Sequence, residues 1–170
     1  DYAVIGAHYK TGIFIDQGAV YVFARDGNTW SQQAKLEAND PAAFGFLGKS
    51  VSITSDGRCV IAAAYSQLGS RDRQAAVYVF MRSADTWTQE AKLLCNTALS
   101  GTLLYDSVSI SSDGNYLSIA HSNKDEWFFT QHIHSKVAGV WVERALLVHR
   151  FRADKDFIAM LQGNATVKEI

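Results

Sequence analysis

The chain has few charged residues and no excess of either sign. Only 19% of its 170 residues are Asp, Glu, Lys or Arg, and the formal net charge is −1 at pH 7. Proteins that bind nucleic acid or anionic membranes usually present a clustered basic face, and no apolar run comes near the roughly 20 residues that cross a bilayer. We therefore predict neither a nucleic-acid partner nor membrane insertion by this segment.

Cysteine is also scarce. Cys59 and Cys95 are the two cysteines, and their counterparts in the internal repeat described below are Tyr and Ala. A position that accepts Cys, Tyr or Ala is typical of a side chain packed in the apolar core. Buried free thiols are therefore the favoured interpretation, and a disulfide and a catalytic role are the alternatives.

What the chain does have is an internal repeat. Residues 18–57 align without a gap on residues 75–114, at a spacing of 57. Three features recur at this spacing: Ala-Val-Tyr-Val-Phe (19–23 and 76–80), a tryptophan (30 and 87) and Ser-Val-Ser-Ile (50–53 and 107–110). Self-similarity at a fixed period of this length indicates a stacked or radial repeat architecture.

Each repeat holds four strand-like runs, which in the second repeat cover residues 50–54, 59–64, 76–80 and 86–93. The first run alternates apolar and small polar residues, whereas the second and third are apolar on both faces, as in strands covered front and back. Asp56-Gly57 between the first two runs predicts a two-residue hairpin turn. The predicted fold class is all-β, with four-stranded antiparallel β-propeller-type blades. The serine-rich strand is predicted to be innermost and the Trp-bearing strand outermost.

We divide the chain into three units. Residues 1–45 hold strands two to four of one blade, residues 46–102 form a complete blade, and residues 103–170 form a degenerate or partial third blade. Closed propellers need about four to eight blades. We therefore expect an incomplete propeller, either a fragment whose further blades close it or an arc closed by self-association.

The last part of the third unit has several interpretations. Its third strand has two alternative candidates, residues 139–142 and residues 145–148. Residues 154–163 could instead form a short helix, with Asp154 as its N-cap and Gly163 just past its end. Unrelated sequence is the remaining alternative.

The repeat resembles the FG-GAP family, the β-propeller repeats related to the integrin α-subunit head. The segments Gly-Ala-Val-Tyr-Val-Phe (18–23), Thr-Trp-Thr-Gln-Glu-Ala-Lys-Leu (86–93) and Ser-Val-Ser-Ile (50–53) carry this resemblance, which covers residues 1 to about 123. The family's Phe-Gly before the inner strand is represented here by Leu47-Gly48, with Phe44-Gly45 slightly upstream.

The resemblance suggests calcium as a cofactor, because the integrin-type repeat has a calcium loop between its first two strands. Calcium takes about six to eight oxygen ligands. That loop is reduced here to Asp56-Gly57 and Asp113-Gly114, and one carboxylate on a tight turn cannot hold calcium alone. We therefore expect no cofactor.

Two histidines are weak candidates for a metal site. His132 and His134 would lie on one face of a strand, where they could bind zinc as a pair. No cysteine or carboxylate stands at a spacing that would supply a third ligand. An exposed polar strand or loop is the favoured interpretation, and no metal is predicted.

Three aspartates are candidates for ligand binding. Asp16, Asp72 and Asp125 lie in or near the loops that join second and third strands, and loops on one rim of a propeller often form its binding face. Ordinary solvated loops are the alternative. For Trp30 and Trp87, recurrence at equivalent positions favours packing over carbohydrate stacking.

The leading functional prediction is a non-enzymatic propeller module for adhesion or for binding a protein or glycan ligand, in a secreted or cell-surface protein. The resemblance implies this function, because a fold alone does not fix one. An intracellular WD-repeat-like scaffold is one alternative, although the period is 57 and not about 40. A propeller enzyme is another; no catalytic residues converge in this segment, but further blades could carry them.

Overall fold

The protein is built from β-strands. The computed structural model describes residues 1–68, 72–95, 103–123, 128–150 and 167–168, and within these ranges it contains no helix. The strands are β1 (Tyr2–Ala7), β2 (Ala19–Asp26), β3 (Thr29–Leu36), β4 (Val51–Ile53), β5 (Cys59–Leu68), β6 (Asp72–Ser83), β7 (Thr86–Leu94), β8 (Leu103–Ile110), β9 (Tyr116–Asn123), β10 (Phe128–Val137), β11 (Val140–Arg150) and β12 (Val167–Lys168).

The strands form three sheets that follow one another along the chain. Sheet 1 has the order β1-β2-β3 and sheet 2 the order β4-β5-β6-β7. Sheet 3 contains β8 to β11 in chain order, with β12 added in parallel on β11. The other pairings are antiparallel. The all-β prediction with antiparallel propeller-type blades is therefore confirmed, while the unit boundaries at residues 45 and 102 stay predictions.

A shared β-bulge shows that the three sheets are copies of one unit. The register between the third and fourth strands of the blade shifts between Val22 and Phe23, between Val79 and Phe80, and between Ile133 and His134. Phe23, Phe80 and His134 are therefore counterparts. The spacing is 57 residues between the first two and 54 between the last two.

The third strand of sheet 3 lies elsewhere than the apolar pattern predicts. Residues 139–142 and 145–148, the two segments proposed for it, belong to β11, the fourth strand, except Gly139 in the preceding turn. The third strand is β10, in which Thr130, His132 and His134 are buried. A search for apolar runs misses it because polar side chains occupy core positions. The helix proposed for residues 154–163 lies outside the described residues.

Neighbouring sheets pack face to face through two clusters of buried side chains. The cluster between sheets 1 and 2 contains Val20, Val22, Leu36, Leu47, Val60, Ala62, Ala64, Ala76, Tyr78 and Phe80. The cluster between sheets 2 and 3 contains Cys59, Ile61, Ala63, Ala75, Val77, Val79, Cys95, Val108, Ile110, Leu117 and Ile119. Sheet 2 is thus covered on both faces, which explains why residues 59–65 of β5 and 75–81 of β6 are apolar on both faces.

The two cysteines are part of this packing. Cys59 and Cys95 are buried thiols, and neither forms a disulfide. Burial raises the pKa of the Cys59 thiol to about 12, so this thiol stays protonated near neutral pH. The interpretation as buried free thiols is confirmed.

Serine side chains join the inner strands of sheets 2 and 3. The Oγ atom of Ser50 accepts a hydrogen bond from the backbone N–H of Val108 (3.1 Å), and the Oγ atom of Ser52 accepts one from Ile110 (3.3 Å). A short side chain that ends in a hydroxyl can reach a neighbouring backbone where two strands lie close. The alternation of serine with apolar residues in β4 is therefore a packing requirement.

The Asp-Gly turns differ from the predicted two-residue form. Gly57 has φ 67°, but Asp56 does not have a positive φ, and Gly57 N–H donates to the carbonyl of Thr54 (3.0 Å). This is the hydrogen bond of a type I turn. Asp56 Oδ1 accepts hydrogen bonds from the Thr54 hydroxyl (2.7 Å) and from the backbone N–H of Arg58 (3.0 Å), which stabilises the turn.

The second such turn repeats these contacts at Asp113. Hydrogen bonds to its carboxylate from the Ser111 hydroxyl and from Asn115 lower the pKa of Asp113 to about 2. Both carboxylates are thus engaged by their own turns.

Two backbone segments cross closely where sheet 1 meets sheet 2. Gly18, the residue before β2, forms an isolated parallel bridge with Leu47. Gly48, which follows Leu47, has φ 91°. A Cβ atom at this position would lie 2.6 Å from the carbonyl oxygen of Ala19. Glycine is required here because a Cβ atom would be too close to the Ala19 oxygen, and because glycine adopts a positive φ at less cost than other residues.

Gly48→Ala should therefore destabilise the protein by about 2–4 kcal/mol, through backbone strain and through the forced contact with Ala19. Gly27→Ala is the matched control, since Gly27 also has a positive φ (58°) but a Cβ atom there would have nothing within 4 Å; it should cost only about 1 kcal/mol. Urea unfolding of both variants measures the difference. Equal losses would show that the crossing is not close-packed.

The two tryptophans should differ in their contribution to stability. Trp87 packs against the cluster between sheets 1 and 2, whereas its counterpart Trp30 is 47% exposed. Trp87→Ala should lower the free energy of unfolding by about 2–4 kcal/mol, and Trp30→Ala by less than about 1 kcal/mol. Denaturant unfolding of the two variants is the measurement. A similar, small effect for both would contradict the packing described.

Candidate binding rim

The longest connections between described strands lie at one end of the stack of sheets. Connections in an antiparallel sheet alternate between its two ends, so β1–β2 and β3–β4 leave from the same end. The short turns β2–β3, β4–β5, β6–β7 and β10–β11 leave from the other. The first end is therefore where loops long enough to hold a ligand can form.

The β1–β2 loop is organised by a buried glutamine. Gln17 Oε1 accepts a hydrogen bond from the backbone N–H of Phe14 (2.9 Å), and Gln17 Nε2 donates to Glu37 Oε1 (3.0 Å). Gly18 N–H donates to the carbonyl of Lys10 (3.0 Å), which closes the loop. The loop is thus held from within by one side chain that is only 5% exposed.

The β3–β4 connection runs alongside this loop and is bonded to it. The backbone N–H groups of Phe44, Phe46 and Leu47 donate to the carbonyls of Ile15, Asp16 and Gln17, at 2.8, 2.9 and 3.0 Å. Asp16, Phe44 and Phe46 have φ values of 50°, 57° and 51°. Positive φ is uncommon for residues with side chains and clusters at binding sites, where surrounding contacts hold it in place.

The same connection is anchored to sheet 2. Asp40 accepts hydrogen bonds from the Tyr78 hydroxyl (3.0 Å) and from Lys92 Nζ (2.5 Å). Burial by itself raises the pKa of Asp40, but the bonds from Lys92 and Tyr78 outweigh it and hold that pKa below its ordinary value. The carboxylate therefore stays charged and fastens the connection.

Phe46 lies at the centre of an aromatic cluster at this end. Its ring centroid is 5.6 Å from that of Tyr9 and 6.1 Å from that of Tyr65, both edge to face, and 6.2 Å from that of Phe44. The Lys49 ammonium lies 4.7 Å from the centroid of the Tyr65 ring, and it donates to the Tyr65 hydroxyl. Edge-to-face contacts of this kind add stability beyond the area they bury.

Large apolar side chains are exposed around this cluster. We define the aromatic rim as Tyr9, Ile13, Phe14, Ile15 and Phe44, all of which are exposed, Ile13 to 83% and Tyr9 to 69%. Contiguous exposed apolar side chains on a soluble surface mark an interaction site more often than single ones do. The rim is therefore the part of the described surface best suited to bind a ligand.

The structure places two of the three predicted aspartates. Asp16 is half-buried beside the rim, and its backbone takes part in the pairing with Phe46. Asp72 is the first residue of β6, opposite Leu68, which puts it at the same end of sheet 2. Asp125 lies outside the described residues. Ligand binding by these aspartates stays a prediction.

Sequence reasoning did not identify the aromatic rim. Its members come from two loops that are about 30 residues apart in the chain and meet only after folding. One usable signal was the run Ile13-Phe14-Ile15 between two predicted strands, because apolar runs are unusual in loops.

As predicted, the two histidines lie on one face of a strand, but that face is buried and not exposed. His132 and His134 lie on one face of β10, with ring centroids 6.4 Å apart, and they are 3% and 7% exposed rather than on an exposed strand. His132 Nδ1 lies 2.5 Å from Glu143 Oε1. They are buried because they take the core positions that Tyr78 and Phe80 hold in sheet 2, where those two rings also stack.

His132, His134 and Glu143 are not placed as a set of three metal ligands. Among the residues that the structure describes, no group of three or more His, Cys, Asp or Glu side chains is placed to hold a metal ion. The histidines instead continue a ring pair that recurs in every sheet, as Tyr21 and Phe23, Tyr78 and Phe80, and His132 and His134.

The fold defines a class: a repeat protein made of antiparallel propeller-type sheets that pack face to face. Residues 30–80 match the family model of the FG-GAP repeat, so the chain carries an FG-GAP repeat and the predicted resemblance is confirmed. The matched segment begins on β3, crosses the connection that bears Phe44, and ends on β6. No curated protein matches the chain. Within the described residues, no helix is long and apolar enough to cross a membrane.

The buried His134 predicts a dependence of stability on pH. Burial, opposed by Glu143 and reinforced by His132, lowers the pKa of His134. The unfolded chain therefore binds a proton more readily than the folded one, and the free energy of unfolding should fall as the pH drops below about 6.5. His134→Phe, which copies Phe80, should reduce this fall.

Denaturant unfolding of the wild type and of His134→Phe between about pH 7.5 and about pH 5.5 makes the comparison. Identical slopes against pH in the two proteins would mean that His134 does not contribute.

Proposed function

We propose that this chain is a non-enzymatic binding module that contacts a protein partner through the aromatic rim. The supporting observation is that five large apolar side chains are exposed on two loops whose backbones are hydrogen-bonded to each other. The cores of protein interfaces are rich in aromatic and poor in charged side chains. The rim has this composition.

The rigidity of the rim favours binding. A loop that is already ordered loses less conformational entropy when a partner docks. Gln17 closes one loop, Asp40 anchors the other, and three residues are held at positive φ between them. These contacts present the rim in one conformation.

A protein ligand fits the rim better than a glycan. Aromatic rings such as those of Tyr9, Phe14 and Phe44 can stack on sugar rings, and this keeps a glycan as the second candidate. Ile13 and Ile15 have no flat face or polar group to offer a sugar, and Ile13 is the most exposed side chain of the set. An isoleucine side chain gains free energy when a partner protein removes its apolar surface from water.

The proposal includes a secreted or cell-surface setting and an adhesive role. The setting is supported by the FG-GAP repeat, since such repeats typically occur in extracellular or cell-surface proteins. The repeat also favours a binding role over catalysis. The WD-repeat alternative loses support because the matched repeat is of a different family.

The test places a photoreactive amino acid at position 13 and exposes the chain to intact cells of the source organism. The proposal predicts a cross-linked protein whose yield is unchanged after enzymatic removal of glycans. The double variant Ile13→Ser/Phe14→Ser, used as a competitor, should be at least about tenfold weaker than the wild type.

The matched control is position 140. Val140 is also exposed (63%) but lies at the opposite end of the sheets, beside the β10–β11 turn. Val140→Ser should compete as well as the wild type. Equal cross-linking from positions 13 and 140 would contradict the proposal, and loss of cross-linking after glycan removal would favour the glycan alternative.

A further inference from the structure

Asp-Gly pairs occur at three places in the chain, as Asp26-Gly27, Asp56-Gly57 and Asp113-Gly114. In such a pair the backbone nitrogen of the glycine can attack the carboxyl carbon of the aspartate side chain, because glycine has no Cβ atom in the way. The attack needs a carboxyl group and an N–H group that are not held by other hydrogen bonds, and it needs room for the backbone to rotate. The three pairs differ in these respects.

The Asp56-Gly57 pair is held within its turn. Asp56 Oδ1 accepts hydrogen bonds from the Thr54 hydroxyl (2.7 Å) and from the N–H group of Arg58 (3.0 Å). Gly57 N–H donates to the carbonyl of Thr54 (3.0 Å). A Cβ atom on Gly57 would overlap the Tyr2 ring, so the turn also packs closely against sheet 1. Both reacting groups are therefore engaged, and the backbone has little room to rotate.

The Asp113-Gly114 pair has the same hydrogen bonds. The Asp113 carboxylate accepts from the Ser111 hydroxyl (2.5 Å) and from the N–H group of Asn115 (3.0 Å), and Gly114 N–H donates to the carbonyl of Ser111 (2.9 Å). The bonds from Ser111 and Asn115 lower the pKa of Asp113 to about 2. The protonated carboxyl group, from which oxygen leaves most readily as water, is therefore scarce near neutral pH.

The Asp26-Gly27 pair lies in the exposed β2–β3 turn and lacks these contacts. Within the part of the chain that the structure describes, neither the Asp26 carboxylate nor the Gly27 N–H group has a hydrogen-bond partner. A Cβ atom on Gly27 would have nothing within 4 Å. Asp26 and Thr29 form the last pair of the β2–β3 ladder, and the exposed end of a hairpin opens more readily than its interior. Opening of this pair lets the backbone rotate until Asp26 Cγ reaches the Gly27 nitrogen.

We propose that Asp26 is a site of spontaneous isomerisation to isoaspartate, through a cyclic succinimide that it forms with Gly27. Asp56 and Asp113 remain aspartate over the same period. The product has one extra carbon atom in its main chain, and it lies at the end of the sheets opposite the aromatic rim. The modification therefore leaves the proposed binding surface unchanged.

The reaction has two steps, and nothing is oxidised or reduced. In the first step the Gly27 nitrogen forms a bond to Asp26 Cγ, the nitrogen loses its proton to the solvent, and one carboxyl oxygen leaves as water. In the second step a water molecule adds to one of the two carbonyl carbons of the ring, and the bond from that carbon to nitrogen breaks. Cleavage at the backbone carbonyl carbon gives isoaspartate, and cleavage at Cγ restores aspartate.

Sheet 2 contains a counterpart of this turn that cannot react. The residues 57 positions later are Ser83 and Ala84, and Ala84 has φ 50° where Gly27 has φ 58°. The turn therefore forms without an Asp-Gly pair. Asp26→Ser copies this counterpart and removes the carboxyl group, which makes it the matched control.

The test is storage of the folded full chain in warm neutral buffer for several weeks. Isoaspartate is counted by methyl transfer from a protein isoaspartyl methyltransferase, and it is located by mass spectrometric fragmentation of proteolytic peptides. Position 26 should gain isoaspartate severalfold faster than positions 56 and 113, through a form that is lighter by one water molecule. Asp26→Ser should remove most of the methyl-accepting groups.

A parallel sample in denaturing guanidinium chloride separates the effect of the fold from that of the dipeptide. The three pairs should react at similar rates there, because the hydrogen bonds of the turns are lost. Absence of isoaspartate at position 26 in the folded chain, or equal rates at the three positions, would overturn the proposal. A preference for position 26 that is as large in the denatured chain would also overturn it, because the local sequence and not the fold would then be the cause.

Discussion

Packing of one sheet against the next is the contact on which the rest of this structure depends. Sheet 2 is apolar on both faces, so neither face can be buried within its own repeat. Val20 and Val22 of sheet 1 must cover Tyr78 and Phe80, and this brings the β3–β4 connection across the end of both sheets. The close crossing at Gly18 and Gly48, and the pairing of the rim loops that follows from it, exist because the sheets are in contact.

The rim shows how a repeat scaffold can present a rigid surface made of loops. Its residues at positive φ would relax if the loops were free, and the backbone bonds between residues 15–17 and 44–47 prevent this. Positive φ at residues with side chains has a conformational cost, which persists where other contacts offset it. Sheet 2 supplies those contacts through Tyr65, which packs against Phe46, and through Tyr78 and Lys92, which hold Asp40.

The repeat, the strand order and the free cysteines could be predicted from the sequence because each depends on local pattern or on comparison of one repeat with the next. The third strand of sheet 3 could not be found by apolar patterning, since His132 and His134 are buried only because β9, β11 and sheet 2 surround them. The aromatic rim required knowledge of which loops meet. A search for paired rings at the bulge position, rather than for apolar residues, would have aligned His134 with Phe80.

The hydrogen bonds from the backbone N–H groups of Val108 and Ile110 to the serine hydroxyls of β4 also bear on the tendency of the protein to aggregate. These two N–H groups lie on the edge of β8 that faces away from β9, and an edge with unpaired N–H groups can recruit strands from other molecules and seed aggregates. Ser50 and Ser52 occupy those donors without adding a strand. A repeat protein whose edge strand is bonded to the next sheet in this way should resist amyloid-like growth from that edge.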